Sequence, residues 1–158
     1  MLLVLAACGA PAATTVEVQP LPAHDVAVQA PSTDAMIPNT DVASTPENRR
    51  VIEFCERYRT ALEAMDAVEL LRLASPHYRS DDVTYDVLKT ALQNLMKTTE
   101  QIRYEIRYRS VERRDGHVIV SITYSASYRA AGRVRHVTDS SELVLEPHAS
   151  SFLILSGM

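Results

Sequence analysis

An α+β domain, three helices followed by four antiparallel strands, is the fold this sequence predicts, and three observations predict it. Two arms, residues 102–112 and 117–128, alternate apolar and polar side chains around Asp115-Gly116, so each is a strand with one buried face. Upstream, Val51, Phe54, Cys55, Tyr58, Ala61, Leu62 and Met65 recur at three- and four-residue steps, which makes one apolar stripe on a long helix. The segment before that helix shows neither period.

Charge is divided along the same boundary. Residues 1–46 contain no Lys or Arg and four acids, Glu17, Asp25, Asp34 and Asp41, a net of −4. All 16 basic residues and the remaining 16 of the 20 acids lie in residues 47–158, which are therefore neutral. Interspersed signs without a basic patch argue against a nucleic-acid or anionic-membrane surface. Two cysteines are too few for a disulfide scaffold.

Residues 1–8 are apolar and end in Leu5-Ala6-Ala7-Cys8. That tetrapeptide resembles the lipobox of bacterial lipoproteins, in which the Cys is lipidated and becomes the mature N-terminus. Small residues before the cleavage point suit a signal peptidase groove. No basic stretch precedes them, so the sequence is expected to start inside a longer signal peptide. The resemblance implies acylation of Cys8, palmitate included. Three acyl chains at about 0.8 kcal/mol per buried methylene would make the anchor effectively permanent. It also implies a place in the bacterial cell envelope, on the outer membrane or the periplasmic face of the inner membrane. Six of the eight prolines follow (Pro11, Pro20, Pro22, Pro31, Pro38 and Pro46), among Ala, Thr, Val and Ser. Residues 9–45 are accordingly expected to be a disordered or extended, semi-rigid linker to a domain spanning 46–158.

The domain opens at Ser44-Thr45-Pro46-Glu47, where Ser44 and Glu47 fit a capping box and Pro46 suits a first helical turn. Cys55 sits on the apolar stripe as a small core residue. Asp66 ends the first helix and can cap a short second one over residues 67–74, which stops before Pro76. Residues 75–80 form a loop. Asp81 or Asp82 can cap a third helix, on which Tyr85, Leu88, Leu92, Leu95, Met96 and Thr99 share a face.

Register decides what the strands bury. A two-residue Asp115-Gly116 turn would pair Tyr108 with Thr123 and set apolar against polar all along the ladder. A three-residue turn, with Gly116 left-handed, pairs Arg113 with His117, Val111 with Ile119, Tyr108 with Ile122, Ile106 with Tyr124 and Tyr104 with Ala126. Register is strongly specified where one face is buried, so the three-residue turn is expected. Ala130-Ala131-Gly132 repeats that logic and leads into residues 133–146, where alternation weakens midway. After a turn at 147–150, residues 151–156 make a final strand.

Helices followed by an antiparallel sheet in this order resemble the nuclear transport factor 2-like superfamily, which includes ketosteroid isomerases and SnoaL-like polyketide cyclases. The residues that carry the resemblance are Ala64-Met65-Asp66-Ala67, Leu73-Ala74-Ser75-Pro76-His77-Tyr78 and Phe152-Leu153-Ile154-Leu155-Ser156-Gly157. They match the end of the long helix, the short second helix with its loop, and the terminal strand. The resemblance covers residues 47–158. It implies a curved sheet wrapping a helix, a cone-shaped, cystatin-like roll with a pocket between the concave sheet and the first helices. The small hairpin usual between the second and third helices is reduced here to residues 75–83, so no catalytic position is carried over.

With a three-residue turn at 130–132, Tyr128 pairs with Val134, Ala126 with His136, Tyr124 with Thr138 and Ile122 with Ser140. His136 and Glu142 then share a pocket face with Tyr104, Tyr108 and Tyr124, with Tyr58 of the first helix opposite. A buried His and Glu among tyrosines is an acid–base arrangement, because burial and neighbours move their pKa values toward neutrality. The competing arrangement is a bulge near Asp139-Ser140 that turns Leu143 and Leu145 inward and the polar residues out to water. Asp66, His77 and Asp82 form a second candidate set near the expected pocket mouth, although Asp66 and Asp82 serve equally as helix caps.

The five histidines lack metal-ligand spacing, and there is no glycine-rich phosphate loop, so neither a metal nor a cofactor is expected. Tyrosine is common, with seven residues, but those on the strands alternate, which fits core packing better than base stacking, and no nucleic-acid partner is expected. These residues point to a membrane-anchored accessory lipoprotein whose domain binds a partner protein or a small apolar ligand without catalysis, with a homodimer through the sheet as a further association. The alternative is a cofactor-independent isomerase, hydratase or cyclase using a buried His/acid pair.

Overall fold

A computed structural model of the protein describes residues 36–158. Cys8, the signal segment and the linker as far as residue 35 lie outside the described residues.

The first helix, α1 (Pro46–Glu63), begins one residue later than a Ser44 cap would start it. Thr45 is the N-cap, and its hydroxyl accepts the Asn48 N–H at 3.1 Å. Glu47 does not close a capping box; it pairs with Arg113 across the fold. Val51, Phe54, Cys55, Tyr58 and Ala61 are buried along the expected stripe, joined by Ile52. Met65 takes a left-handed φ of 56° and turns the chain. Asp66 then caps α2 (Ala67–Leu73) by accepting the Val68 and Glu69 N–H groups. A hairpin of two-residue strands follows, β1 (Arg79–Ser80) and β2 (Val83–Thr84), with Asp81 at φ 50° in its turn. Because Asp81 and Asp82 are spent on that turn, α3 (Tyr85–Thr98) starts from Thr84 instead, without a side-chain cap bond.

The main sheet holds β3 (Thr99–Arg114), β4 (His117–Ala130), β5 (Arg133–His148) and β6 (Ser151–Ser156), antiparallel in the order β3-β4-β5-β6. The architecture is the expected α+β plan of three helices on a four-stranded sheet. Val118, Val120, Ile122, Leu143, Leu145 and Ile154 are buried in one core with Val51 and Cys55 of α1 and Leu70 of α2.

Both long hairpins correct the expected turns. Asp115 and Gly116 have φ of 53° and 81°, and Arg114 pairs with His117. This is a two-residue turn with both central residues left-handed, the geometry that matches strand twist. Val111 therefore faces Val120 rather than Ile119. The pairs Tyr108–Ile122, Ile106–Tyr124 and Tyr104–Ala126 nevertheless stand as expected, because a β-bulge between Tyr108 and Ser110 absorbs one residue, Arg109. At the second turn Ala131 (φ 49°) and Gly132 (φ 73°) also close in two residues, pairing Ala130 with Arg133. No bulge intervenes between β4 and β5, so the whole of β5 is shifted one residue from the expected register.

The expected linker reaches residue 45, but residues 36–45 are packed on the domain. Met36 bridges to Ala43, the Ile37 N–H donates to the Val42 carbonyl at 3.0 Å, and Val42 is only 3% exposed in the core. The Asp41 N–H donates to the Tyr108 carbonyl at 2.9 Å, and its carboxylate takes Arg107 at 2.7 Å and Arg109 at 2.8 Å. Three apolar residues and one acid suffice to anchor a strap that proline content alone marks as linker.

Candidate functional site

The strand register brings the tyrosines together. Tyr104 and Tyr108 of β3 and Tyr124 of β4 project from the same face, toward Tyr58 on α1. Tyr58 and Tyr104 meet edge-to-face with centroids 6.4 Å apart at 88°, and Tyr104 and Tyr124 lie 5.1 Å apart at 32°. Tyr58, Tyr104 and Tyr108 are buried and Tyr124 is half-buried. Such pairs add to the stability of area burial through their quadrupoles. The interior where a ligand pocket is expected is thus occupied by these rings.

Burial raises the pKa of Tyr58, with Tyr78, Tyr124 and Cys55 adding to the effect, and it raises Tyr104 and Tyr108 likewise. These phenols stay protonated, and the Tyr108 hydroxyl donates to Glu56. Burial, with Glu56 beside it, pushes the Cys55 thiol up to about 12, which leaves it a packing group with little thiolate.

The polar side of the cluster is a ladder on α1 formed by Glu56, Arg59 and Glu63, spaced by three and four residues. Arg59 donates to Glu56 Oε2 at 2.8 Å and to Glu63 Oε2 at 2.5 Å. The hydrogen bond to Glu56, with both carboxylates nearby, raises the pKa of Arg59 further. Each carboxylate also reaches the strand: Glu56 Oε1 accepts the Tyr108 hydroxyl at 2.7 Å, and Glu63 Oε1 accepts the Tyr104 backbone N–H at 2.8 Å. A cleft of about 380 Å³ opens beside this ladder, between Glu56, Arg59, Glu63, Tyr108, Ile106 and the strap at residues 38–40. Chemically the cleft offers hydrogen-bonding groups, with two carboxylates sharing one guanidinium.

The candidate acid–base residues lie elsewhere. His136 pairs with Ser127 and Glu142 with Ser121, on the face of β5 opposite Leu143 and Leu145, and both are exposed. The expected placement in the pocket fails because the two-residue turn at Ala131-Gly132 moves every residue of β5 to the other face. The competing expectation of inward Leu143 and Leu145 is met, both being fully buried, through that turn and without the bulge near Asp139-Ser140. Six residues apart on one strand, His136 and Glu142 are separated by about 20 Å and form no pair. His77 and Asp82 are both exposed, and no hydrogen bond or ion pair joins them among the described residues. Asp66 is a helix cap.

Two arrangements were not singled out from the sequence. One is the Glu56–Arg59–Glu63 ladder, whose signal is the i, i+3, i+7 charge spacing beside the apolar stripe. The other surrounds Ser75, which is fully buried and donates to Glu146 Oε1 at 2.5 Å while accepting the His77 N–H at 3.1 Å. It borders a groove of about 860 Å³ between α2, α3 and the β5–β6 turn, lined by Leu71, His77, Tyr85, Lys89, His148 and Leu153 among others. Seventy-one positions separate Ser75 from Glu146, so no local pattern signals the contact. Among the described residues, no group of three or more His, Cys, Asp or Glu is arranged to hold a metal ion, and no helix is long and apolar enough to cross a membrane.

No family model matches the chain, and no curated protein matches it. Solved structures do. A candidate dehydratase of the NTF2-like family from Streptomyces avermitilis superposes with a TM-score of 0.61 at 13% identity, covering 71% of this chain and 95% of that one. A ketosteroid isomerase-like protein from Erwinia carotovora atroseptica gives 0.59 at 16% identity, over 72% and 95% of the two chains. A candidate calcium/calmodulin dependent protein kinase II association domain from Xanthomonas campestris gives 0.58 at 17%, over 77% and 94%. The domain therefore has the nuclear transport factor 2-like α+β fold. At these identities the likeness is one of fold, and the fold carries isomerase-like, dehydratase-like and association roles alike.

Proposed function

We propose that this protein is a membrane-anchored accessory lipoprotein of the bacterial cell envelope, whose domain binds a partner protein or a small apolar ligand and does not catalyse a reaction. The observation that carries the non-catalytic part is the tyrosine-filled interior, in which the buried phenols and Cys55 are held protonated. Leu5-Ala6-Ala7-Cys8 supports the anchor. Likeness to an association domain supports assembly, including a homodimer through the sheet.

The alternative is a cofactor-independent isomerase, hydratase or cyclase, supported by the likeness to a candidate dehydratase and an isomerase-like protein. The separation of His136 from Glu142, and of His77 from Asp82, speaks against the buried His/acid pair that such an enzyme would use here. Native mass spectrometry of the purified protein tests the proposal. A co-purifying partner or apolar ligand that returns chemically unchanged is expected. Turnover of that ligand by the protein would overturn the non-catalytic role.

A further inference from the structure

We propose that the free edge of β5 pairs with the same edge of a second copy of this chain, antiparallel, with Val137 opposite the partner's Val137. This deepens the assembly part of the proposed function and rests on it.

Among the described residues the sheet has three stretches of edge, and other parts of the chain hydrogen-bond to two of them. On β3, Glu63 accepts the outward Tyr104 N–H and the Asp41 N–H caps the Tyr108 carbonyl. On β6, Ala74 bridges to Ile154, and the Ser75 N–H donates to the Ile154 carbonyl at 2.9 Å. The third stretch is on β5. Its partner β6 pairs only with residues 144–148, so residues 133–143 have β4 on one side and no strand on the other among the described residues. Every residue from Arg133 to Ser140 is exposed, including Val134 at 55% and Val137 at 40%. A run of outward N–H and C=O groups of this length is a template for another strand.

Side-chain chemistry selects the occupant and the register. In a continuous sheet related by a two-fold axis through its plane, facing residues project from the same face, so odd positions meet odd positions. With the axis at Val137, Arg135 lies opposite the partner's Asp139 and Asp139 opposite the partner's Arg135. Two cross-strand ion pairs then flank a Val–Val contact, the combination that stabilises antiparallel pairs. An axis at His136 would set histidine against histidine and Arg135 against valine. An axis at Thr138 would set Val137 against Asp139. Only the Val137 register is complementary to itself at each of these positions.

A strand-edge contact is small, so the dimer is expected to be weak, with dissociation on the order of micromolar. Analytical ultracentrifugation of the full chain should show a concentration-dependent dimer, and amides of residues 133–141 should gain exchange protection as it forms. Arg135→Asp alone, and Asp139→Arg alone, each place like charges opposite one another and should weaken dimerisation roughly tenfold or more. The double swap, Arg135→Asp with Asp139→Arg, should restore it. These residues are exposed in the single chain, so the variants should keep the wild-type melting profile when monomeric. A dimer unmoved by either single swap assembles through another surface, and the β5 pairing fails while assembly stands. A monomer at every concentration removes both, and protected β5 amides in such a monomer would show that the chain covers this edge itself.

Discussion

The hydroxyl of Tyr108 donates to Glu56 Oε1 at 2.7 Å, joining the centre of β3 to the middle of α1. Glu56 is held from its other oxygen by Arg59, which also holds Glu63, so one short ladder fixes helix, strand and the wall of the cleft. Hydrogen bonds to a charged partner contribute about 1.5–3 kcal/mol when shielded and less where water reaches them. The carboxylate of Glu56 is partly exposed. Tyr108→Phe should therefore destabilise the domain by about 1 kcal/mol in urea unfolding, with an unchanged m-value. A loss below about 0.3 kcal/mol would mean that water serves Glu56 equally well.

The strap should loosen in acid. Hydrogen bonds from Arg107 and Arg109, reinforced by their charges, lower the Asp41 pKa from 3.8 to about 2. A depressed carboxylate contributes stability that is present above its unfolded pKa and lost as pH falls through the folded one. The window is thus roughly pH 4 down to pH 2. Amide protection at Ile37 and Val42 should fall across that window while Val120 stays protected, and Asp41→Asn should abolish the dependence. Strap protection that is flat from pH 5 to pH 2 would leave Asp41 without a role in holding it.

Core burial can be tested on neighbouring residues of β4. Ile122 is buried at 2% exposure and faces Tyr108, whereas Thr123 projects from the other side of the sheet. Ile122→Ala should cost about 2–5 kcal/mol and Thr123→Ala far less. Equal losses would mean that both faces of the sheet are covered.

These sheet positions also show what the sequence makes legible. The period-two pattern placed Tyr104, Tyr108, Ile122 and Tyr124 on one face correctly, since burial of that face is written into every second residue. It could not place the turns. Asp115-Gly116 has the local chemistry of a two-residue turn, and the alternation favours three residues only because the bulge at Arg109 is invisible in the side chains. Carried to Ala131-Gly132, where no bulge compensates, the same inference put His136 and Glu142 on the wrong face. The strap was hidden for another reason. Asp41 and Val42 acquire meaning only through Arg107, Arg109 and the core, more than sixty residues away.

The anchor rests on sequence alone. In cells expressing the protein from its native gene, Cys8→Ala should leave it unprocessed and without acyl label, while wild type partitions into the membrane fraction. Soluble wild-type protein with an unmodified Cys8 would remove the lipoprotein assignment.

Two glycines separate backbone strain from steric exclusion. Gly132 and Gly157 both have left-handed φ, 73° and 92°. At Gly132 nothing lies within 4 Å of where a Cβ would sit, so Gly132→Ala meets only the conformational cost of roughly 1 kcal/mol. At Gly157 the added Cβ would fall 2.9 Å from the Glu142 carbonyl carbon and closer still to its oxygen. Those are backbone atoms of β5, beside the irregularity at Val144–Leu145, where Val144 pairs with Ser156. They cannot rotate away, so either β5 shifts or the chain end detaches. Detachment would release Met158, whose N–H donates to the Tyr78 hydroxyl at 3.2 Å. Gly157→Ala should therefore cost clearly more than Gly132→Ala in denaturant unfolding and should deprotect the Met158 amide. Equal costs at the two sites would show that the C-terminal residues yield freely and do not lock β5 against β6.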